Sequence, residues 1–504
     1  MTQDNLAAKR KSEWAVFLPA VSSFYINSLG KEKASPGYFN RTIANIPDWD
    51  QLDYYNKQKG LYYYDHGLYS AGHANLDVSV DDPRENIVRK RDASVFMLGD
   101  SGGFQISQGQ WPANWRDINC PKAQAKRQEV LTWMETYMDY GMILDIPTAT
   151  IGRQDILEKH GIRDYADAVS ATHINNRYFI ANRTGECKLL NVLQGTNHTQ
   201  SDHWYSEMKD YCDTKKYPGK NFNGWAFGGQ NKAEIHLLLK RLVHIVHDGL
   251  LQEGVHDWIH FLGLSQLEWA LMFTDLQHSL RKYWNPQVTL SFDCASPFMS
   301  AAKSLIYTKN DIENNKKWVY RMEPALQGKQ YAGDTRKFSV AIHGVHKTFT
   351  DSPVTDRITL GEMNPRGVGA VDKHGKLTKT SWDTLSYVLL QSHNNWAHLT
   401  AVQRANEAYE QGIIPEMLTP KFDVAHHFKY IVDTIFKQPT REQAIAIIDD
   451  HSWLWDKYRG GTAFNTGKKA KTAIVSFNQF FDEQPAAQYG EIDAELEIKK
   501  IDID

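Results

Sequence analysis

The sequence has few cysteines, no long apolar run and no excess of charge of either sign. Its 504 residues include only four cysteines, and no two of them are spaced as a C-x-x-C zinc site requires. No segment reaches the roughly 20 consecutive apolar residues that span a bilayer. Because 57 Lys and Arg face 60 Asp and Glu, any contact with nucleic acid must come from a local basic surface. We expect a cytoplasmic protein that does not associate with membranes.

The N-terminal stretch KRKSEWAVFLPAVSSFY has a basic start and an apolar continuation, as a secretory signal does. Its apolar part is short, is interrupted by Pro19, and is not followed by a clear small-residue cleavage site. We therefore interpret it as the first strand and loop of the fold.

Short apolar runs that end in a polar residue or a glycine recur along the first 300 residues. The residues at their ends are Asp100, Asp145, Gln194, Gly228, Gly263 and Asp293. They are about 30 to 50 residues apart, the length of a strand, a loop and a helix. The segments between them have helical periodicity, and one of these segments opens with Asn231 and Glu234 three residues apart, a capping-box pattern.

This alternation predicts an α/β fold with a parallel sheet, and six detected units favour a (β/α)8 TIM-type barrel over a doubly wound open sheet. We assign residues 1–325 to the barrel core and 326–380, which are rich in Gly, Thr and Lys, to an inserted β-containing segment. Residues 381–480 form a helical C-terminal region that completes the barrel or binds nucleic acid. Residues 481–504 form a charged tail.

The stretch DSGGFQ, residues 100–105, combines groups that suit a flat polar ligand. The two glycines allow a sharp turn and a close approach of the backbone. Phe104 can stack on a ring, and Asp100, Ser101 and Gln105 can bind the polar edge of that ring. Taken alone, the same residues are also typical of an ordinary strand-ending turn.

With the stretches that follow it, DSGGFQ resembles the signature of the tRNA-guanine transglycosylases and their relatives. MILDIPT resembles the family's next strand, and NVLQG with FNGWAFGGQ resembles its Gln-Gly and Gly-Gly pair. IHFLGL resembles a later strand, SFDCASP the nucleophile strand, and SHNNWAHLTAVQRANEAYEQG a C-terminal helix. The resemblance covers roughly residues 95–300 and, more weakly, 385–412.

The resemblance implies a pentosyltransferase in which Asp293 attacks C1′ of a target guanosine and Asp100 is the second catalytic carboxylate. The residues that it places around the base are Ser101, Gly102, Gly103, Phe104, Gln105, Asp145, Gln194, Gly228 and Gly229. Exchange at a glycosidic carbon passes through an oxocarbenium-like state, which a carboxylate stabilises or traps. The residues also have structural alternatives: Asp293 as a buried strand residue, Asp145 as a helix cap and Gln194 as a strand-end amide.

The chain departs from the tRNA enzymes after the nucleophile strand. Those enzymes carry a C-x-C-x-x-C…His zinc site there, whereas no cysteine follows Cys294, and His343, His346 and His374 alone seldom build such a site. We therefore expect no metal or other cofactor. The departure favours the branch of the superfamily that places 7-deazaguanines into DNA, in bacterial modification systems and in bacteriophages, where this protein would act in the host cytoplasm.

We accordingly predict a DNA-guanine transglycosylase that inserts a free base such as 7-cyano- or 7-aminomethyl-7-deazaguanine (preQ0 or preQ1). Action on tRNA is the first alternative, and a glycoside hydrolase with two carboxylates or a catalytically silent binding relative are the others. A homodimer is left open. The Gly-rich basic stretch YRGGTAFNTGKKAKT can follow phosphates, or it can be a solvated loop. Its basic residues are Arg459, Lys468, Lys469 and Lys471.

Overall fold

The computed structural model describes residues 4–5, 13–232, 234–312, 318–372, 374–419 and 424–458. The strands in these ranges are β1 Asp4–Asn5, β2 Val16–Pro19, β3 Tyr62–Tyr63, β4 His66–Ser70, β5 Phe96–Asp100, β6 Tyr140–Met142, β7 Lys188–Leu193, β8 Gly224–Phe227, β9 Trp258–Phe261, β10 Thr289–Cys294, β11 Leu305–Asp311 and β12 Val319–Pro324.

The α-helices in the same ranges surround the strands or follow them. They are Ser23–Ala34, Asn86–Arg89, Gly103–Ser107, Pro121–Tyr137, Leu157–His160, Tyr165–Asn182, His198–Met208, Ile235–His247, Leu267–Tyr283, Ser296–Ala302, Phe338–Val345, Leu360–Met363, Thr384–Glu410, Phe428–Phe436, Arg441–Asp450 and Ser452–Tyr458. None of these helices is long and apolar enough to cross a membrane.

Eight parallel strands form one sheet in the order β2-β10-β9-β8-β7-β6-β5-β4. A parallel bridge between Ala20 and Leu68 brings β2 beside β4, so the sheet is a nearly closed barrel. The predicted α/β fold with a TIM-type barrel is confirmed, and the N-terminal apolar run forms its first strand, Val16–Pro19. In such a barrel the carboxyl ends of all eight strands meet at one face.

The helix Ile235–His247 shows how the sequence pattern produces a barrel layer. Its apolar residues recur at helical spacing, and Ile235, Leu238 and Leu242 are almost completely buried. The predicted capping box at its start is wrong, because Glu234 is the N-cap residue and makes no side-chain capping bond. The Asn231 side chain instead donates to the Gln194 carbonyl, 3.0 Å away, inside the barrel mouth.

The inserted segment lies between β10 and the helix Thr384–Glu410. Its regular β-structure is the antiparallel hairpin of β11 and β12, which ends at Pro324, before the predicted limits 326–380. The described residues within those limits form short helices and two isolated bridges, Lys337–Thr359 and Val371–Leu377. The Gly- and Thr-rich composition therefore indicated irregular structure around the hairpin rather than the strands themselves.

The helix Thr384–Glu410 contacts both the helix Leu267–Tyr283 and the first barrel strand, β2. It therefore occupies the place of the barrel helix between β10 and β2. It begins with a capping box formed by Asp383 and Ser386, and Arg41 Nε pairs with Asp383 at 2.6 Å. The three helices that follow pack on the outer side of the barrel helices. The four domain limits remain predictions, and the tail 481–504 lies outside the described residues.

Candidate active site at the barrel mouth

Asp100 and Asp293 lie at the carboxyl ends of two barrel strands, β5 and β10. Burial is the main cause that raises the pKa of Asp100. The charge of Asp293 also raises it, so the two carboxyl groups lie near each other. Ser70, at the end of the neighbouring β4, donates its hydroxyl to Asp100 Oδ2 at 2.5 Å. The Ser70 oxygen in turn accepts from the Gly72 N–H at 3.1 Å, which fixes the orientation of the hydroxyl.

Asp293 is held through its Oδ1 oxygen. Its Oδ1 accepts the Gly263 N–H at 2.7 Å and lies 3.2 Å from His260 Nε2, and the side chain is almost completely buried. Gly263 is the second residue after β9 and has a φ of 67°, a conformation that favours glycine. The turn after β9 thus directs a backbone N–H at the carboxylate of β10.

Asp145 and Gln194 form the second polar group at the mouth. Gln194 Nε2 donates to Asp145 Oδ2 at 2.8 Å, and both side chains are buried. Burial raises the pKa of Asp145 to about 7, the Gln194 hydrogen bond opposes the rise, and the charge of Asp100 adds to it. The structure does not use Asp145 as a helix cap, since the N-cap of the next turn, Thr148–Gly152, is Pro147.

The paired glycines after β8 leave room for Gln194. A Cβ at Gly228 would lie 2.7 Å from Gln194 Nε2, and one at Gly229 would lie 2.6 Å from the Gly195 carbonyl oxygen. Gly229 also has a φ of 55°. A side chain at Gly228 would therefore push the amide away from Asp145, and one at Gly229 would push against the Gly195 backbone.

The DSGGFQ stretch turns at Gly102, whose φ of 82° precedes the short helix Gly103–Ser107. Ser101 and Gln105 are buried, while Phe104 on the same helix is partly exposed. A Cβ at Gly102 would lie 2.5 Å from the Trp111 ring, and one at Gly103 would lie 3.0 Å from the Asp145 carbonyl. The two glycines thus allow close packing against neighbouring loops at the mouth.

The structure adds residues that the motif comparison missed. His260 and Ser70 contact the two carboxylates, and Lys232 ends the turn Gly229–Lys232 that follows β8. Burial lowers the pKa of Lys232, and the charge of Asp293 opposes this effect. The signals were a histidine in the apolar run WIHFL, a serine that ends HGLYS, and a lysine directly after GGQN.

Two histidines of the inserted segment contact carboxylates. His343 lies 3.4 Å from an Asp351 oxygen, and His346 lies 3.1 Å from a Glu323 oxygen. Among the residues that the structure describes, no three His, Cys, Asp or Glu side chains are grouped as a metal site requires. Cys294 is buried, and burial raises the pKa of its thiol, consistent with a packing role.

The basic residues predicted to contact nucleic acid are not placed by the structure. Arg459, Lys468, Lys469 and Lys471 lie outside the described residues. No family model matches this chain, and a search of curated proteins also gives no match.

Proposed function

We propose that this chain is a DNA-guanine transglycosylase that replaces guanine in DNA by a 7-deazaguanine base. The observation that best supports the proposal is the grouping of three carboxyl groups at one barrel mouth, those of Asp100, Asp145 and Asp293. Burial raises the pKa of Asp100, the Ser70 hydrogen bond opposes the rise and the charge of Asp293 adds to it, while the charge of Asp100 in turn helps to raise the pKa of Asp145. The motif resemblance adds that these residues follow one another along the chain in the same order as the corresponding motifs of the transglycosylases.

Each carboxyl group has a different task in the proposed reaction. A carboxylate oxygen of Asp293 forms a bond to C1′ while the C1′–N9 bond breaks and its electron pair stays on guanine. Asp100, whose raised pKa lets it hold a proton at higher pH than an ordinary aspartate, gives that proton to the departing base. The polymer is then joined to the protein by an ester, and its strand remains intact.

The second half reverses these bond changes with a new base. The N9–H of the incoming 7-deazaguanine gives its proton to Asp100, N9 forms the bond to C1′, and the ester electron pair returns to Asp293. Two successive displacements restore the original configuration at C1′. The target nucleotide must leave its stack to reach a buried carboxylate, so the reaction requires base flipping or a single strand.

Asp145 and Gln194 supply the base recognition in this proposal. Guanine and 7-deazaguanine both present N1–H and the exocyclic amino group on one edge, and an ionised carboxylate accepts from both donors. The Gln194 bond at 2.8 Å holds the Asp145 carboxylate, and Gly228 leaves room for the Gln194 amide. The partly exposed Phe104 is the proposed stacking partner.

DNA is favoured over tRNA by the region that follows the nucleophile strand. No cysteine follows Cys294, so the zinc-bearing element that helps the tRNA enzymes hold their substrate is not encoded. The pocket residues are unaffected by this difference. The exchange chemistry and the choice of polymer are therefore separate parts of the proposal, and one experiment addresses both.

The test incubates the protein with guanine-labelled DNA or tRNA and with preQ0 or preQ1, then measures released guanine and the nucleosides of the digested polymer. We expect DNA to lose guanine and gain the 7-deazaguanine only when that base is supplied. Exchange in tRNA alone would reverse the choice of polymer. If neither polymer loses guanine with either base, base exchange is refuted.

Asp293→Asn is the variant that tests the covalent step. We expect it to abolish both exchange and the DNA–protein adduct that denaturation traps in the wild type. Asp275→Asn is the matched control, because Asp275 is equally buried, accepts a hydrogen bond from Tyr409 at 2.7 Å and lies on the outer helix Leu267–Tyr283. An adduct that persists in Asp293→Asn would assign the nucleophile to another residue.

A further inference from the structure

The strands β9 and β10 bring four side chains into one column inside the barrel. In their parallel register Trp258 is opposite Thr289, and His260 is opposite Ser291. Alternate residues of a strand face the same side, so Ser291 and Asp293 both face the interior, as do Trp258 and His260. His260 and Ser291 are completely buried, and Trp258 is nearly so.

With a neutral imidazole, the hydrogen bonds of this column have one consistent direction. The Trp258 indole N–H can only donate, and it donates to Ser291 Oγ at 2.7 Å. Ser291 Oγ also lies 2.9 Å from His260 Nδ1, and His260 Nε2 lies 3.2 Å from Asp293 Oδ1. Since the carboxylate oxygen is an acceptor, we assign the imidazole proton to Nε2 and the serine proton to the bond with Nδ1.

The column determines how Asp293 faces the mouth. Oδ1 accepts both the Gly263 N–H and the His260 Nε2–H. Oδ2 accepts no hydrogen bond from the residues that the structure describes. One oxygen is therefore held by two donors, and the other has its lone pairs available to an incoming atom.

We propose that His260, supported by Ser291 and Trp258, is a positioning residue that holds Asp293 Oδ1 and presents Oδ2 to C1′ of the target nucleotide. This role rests on the proposed function. The base of the column is rigid, because the Trp258 ring stacks on Phe96 with centroids 4.2 Å apart and planes 13° apart.

The hydrogen bond from His260 to Asp293 Oδ1 contributes to both chemical steps. While Oδ2 is bonded to C1′, Oδ1 is the ester carbonyl oxygen, and the two donors stabilise the charge that returns to the carboxylate as the C1′–O bond breaks. The imidazole exchanges no proton with the substrate. Removing its hydrogen bond to a charged oxygen is expected to lower kcat about 10- to 100-fold.

Two substitutions of His260 by an amide side chain distinguish the roles of its two ring nitrogens. In His260→Asn the amide can reach Ser291, as Nδ1 does, but not Asp293. In His260→Gln the longer side chain can place its N–H₂ where Nε2 lies. We expect His260→Asn to lower kcat for exchange by about 10- to 100-fold, and His260→Gln to restore most of the loss.

The Michaelis constant for the free 7-deazaguanine distinguishes positioning from a general structural defect. It is expected to stay unchanged in both variants, because Asp145 and Gln194 are not altered. Ser291→Ala is a second variant in case His260→Asn folds poorly. It leaves the imidazole in place and removes its support, and we expect a loss of kcat smaller than that of His260→Asn.

Each outcome decides the role of His260. The role is overturned if His260→Asn is as active as the wild type, if His260→Gln is no better than His260→Asn, or if the loss appears in the Michaelis constant. The role is also overturned if Ser291→Ala loses as much activity as His260→Asn. A wild-type chain that exchanges no base on either polymer overturns the proposed function, and this role with it.

Discussion

Replacing Asp145 by asparagine should stabilise the fold at pH 8 and at the same time remove the proposed base recognition. The two effects have one cause. Burial raises the pKa of this carboxyl group to about 7 from its ordinary value of 3.8, against the opposing Gln194 bond. Asparagine has no charge to bury, and its oxygen can still accept the Gln194 N–H.

The size and sign of the effect follow from the pKa of Asp145 in the two states. Below about pH 3.8 the carboxyl group is protonated in both the folded and the unfolded chain, so its ionisation costs the fold nothing. As the pH rises to 7 the unfolded chain ionises first, and the folded state becomes less stable by about 1.4 kcal/mol per pH unit. Above pH 7 the cost is complete, about 4 kcal/mol.

The free energy of unfolding in urea measures this difference directly. We expect Asp145→Asn to exceed the wild type by up to about 4 kcal/mol at pH 8 and by about 1.5 kcal/mol at pH 5. In the exchange assay the same variant should lose guanine recognition, because an amide cannot accept from both N–H groups of the base.

Asp275→Asn is the control variant, because it also removes a buried charge but lies outside the proposed base-binding site. Burial also raises the pKa of Asp275 to about 7, while hydrogen bonding by Tyr409 opposes the rise. We expect the same dependence of stability on pH as in Asp145→Asn, with exchange unchanged. If Asp145→Asn is destabilised at pH 8, or if its advantage over the wild type does not shrink at pH 5, the reasoning about buried charge is refuted.

Two further predictions concern the polymer and the base separately. Lys232 lies near enough to Asp293 that the carboxylate's charge opposes the effect of burial on its pKa, so its amine lies close to where the target nucleotide would bind. We expect Lys232→Gln to lose one phosphate contact and lower the slope of log Kd against log salt for DNA by about 1, with free-base binding unchanged. A slope equal to that of the wild type would exclude the contact. Gly228→Ala places a Cβ 2.7 Å from Gln194 Nε2 and should weaken free-base binding about tenfold while DNA binding is retained, and unchanged base affinity would show that the amide is not needed.

The barrel and its mouth could be predicted because both leave local signals in the sequence. Each predicted strand is an apolar run of strand length, and each ends in a residue that an apolar core would not select. The face at which those residues meet follows from the parallel topology alone. Asp100 and Asp293 could thus be assigned to one site, although almost 200 residues separate them in the chain.

The supporting contacts could not be predicted, because they depend on strand register. His260 stands in a run that is otherwise apolar, and only its pairing opposite Ser291 shows that it contacts Asp293. Spacing along the chain predicts a capping box of Asn231 and Glu234, because such spacing is visible in a sequence. The actual partner of Asn231, the Gln194 carbonyl, follows β7 and is 37 residues away in the chain, which local spacing does not reveal.

The three carboxyl groups at the mouth are more easily explained by chemistry than by folding. A barrel that served only stability would place neutral side chains there, because buried like charges repel each other and lose their hydration. The chain instead surrounds each group differently: Asp293 with two N–H donors, Asp100 with a hydroxyl and Asp145 with an amide. Three acids in one place with three different partners are suited to a reaction that needs a nucleophile, a proton carrier and a base acceptor at once.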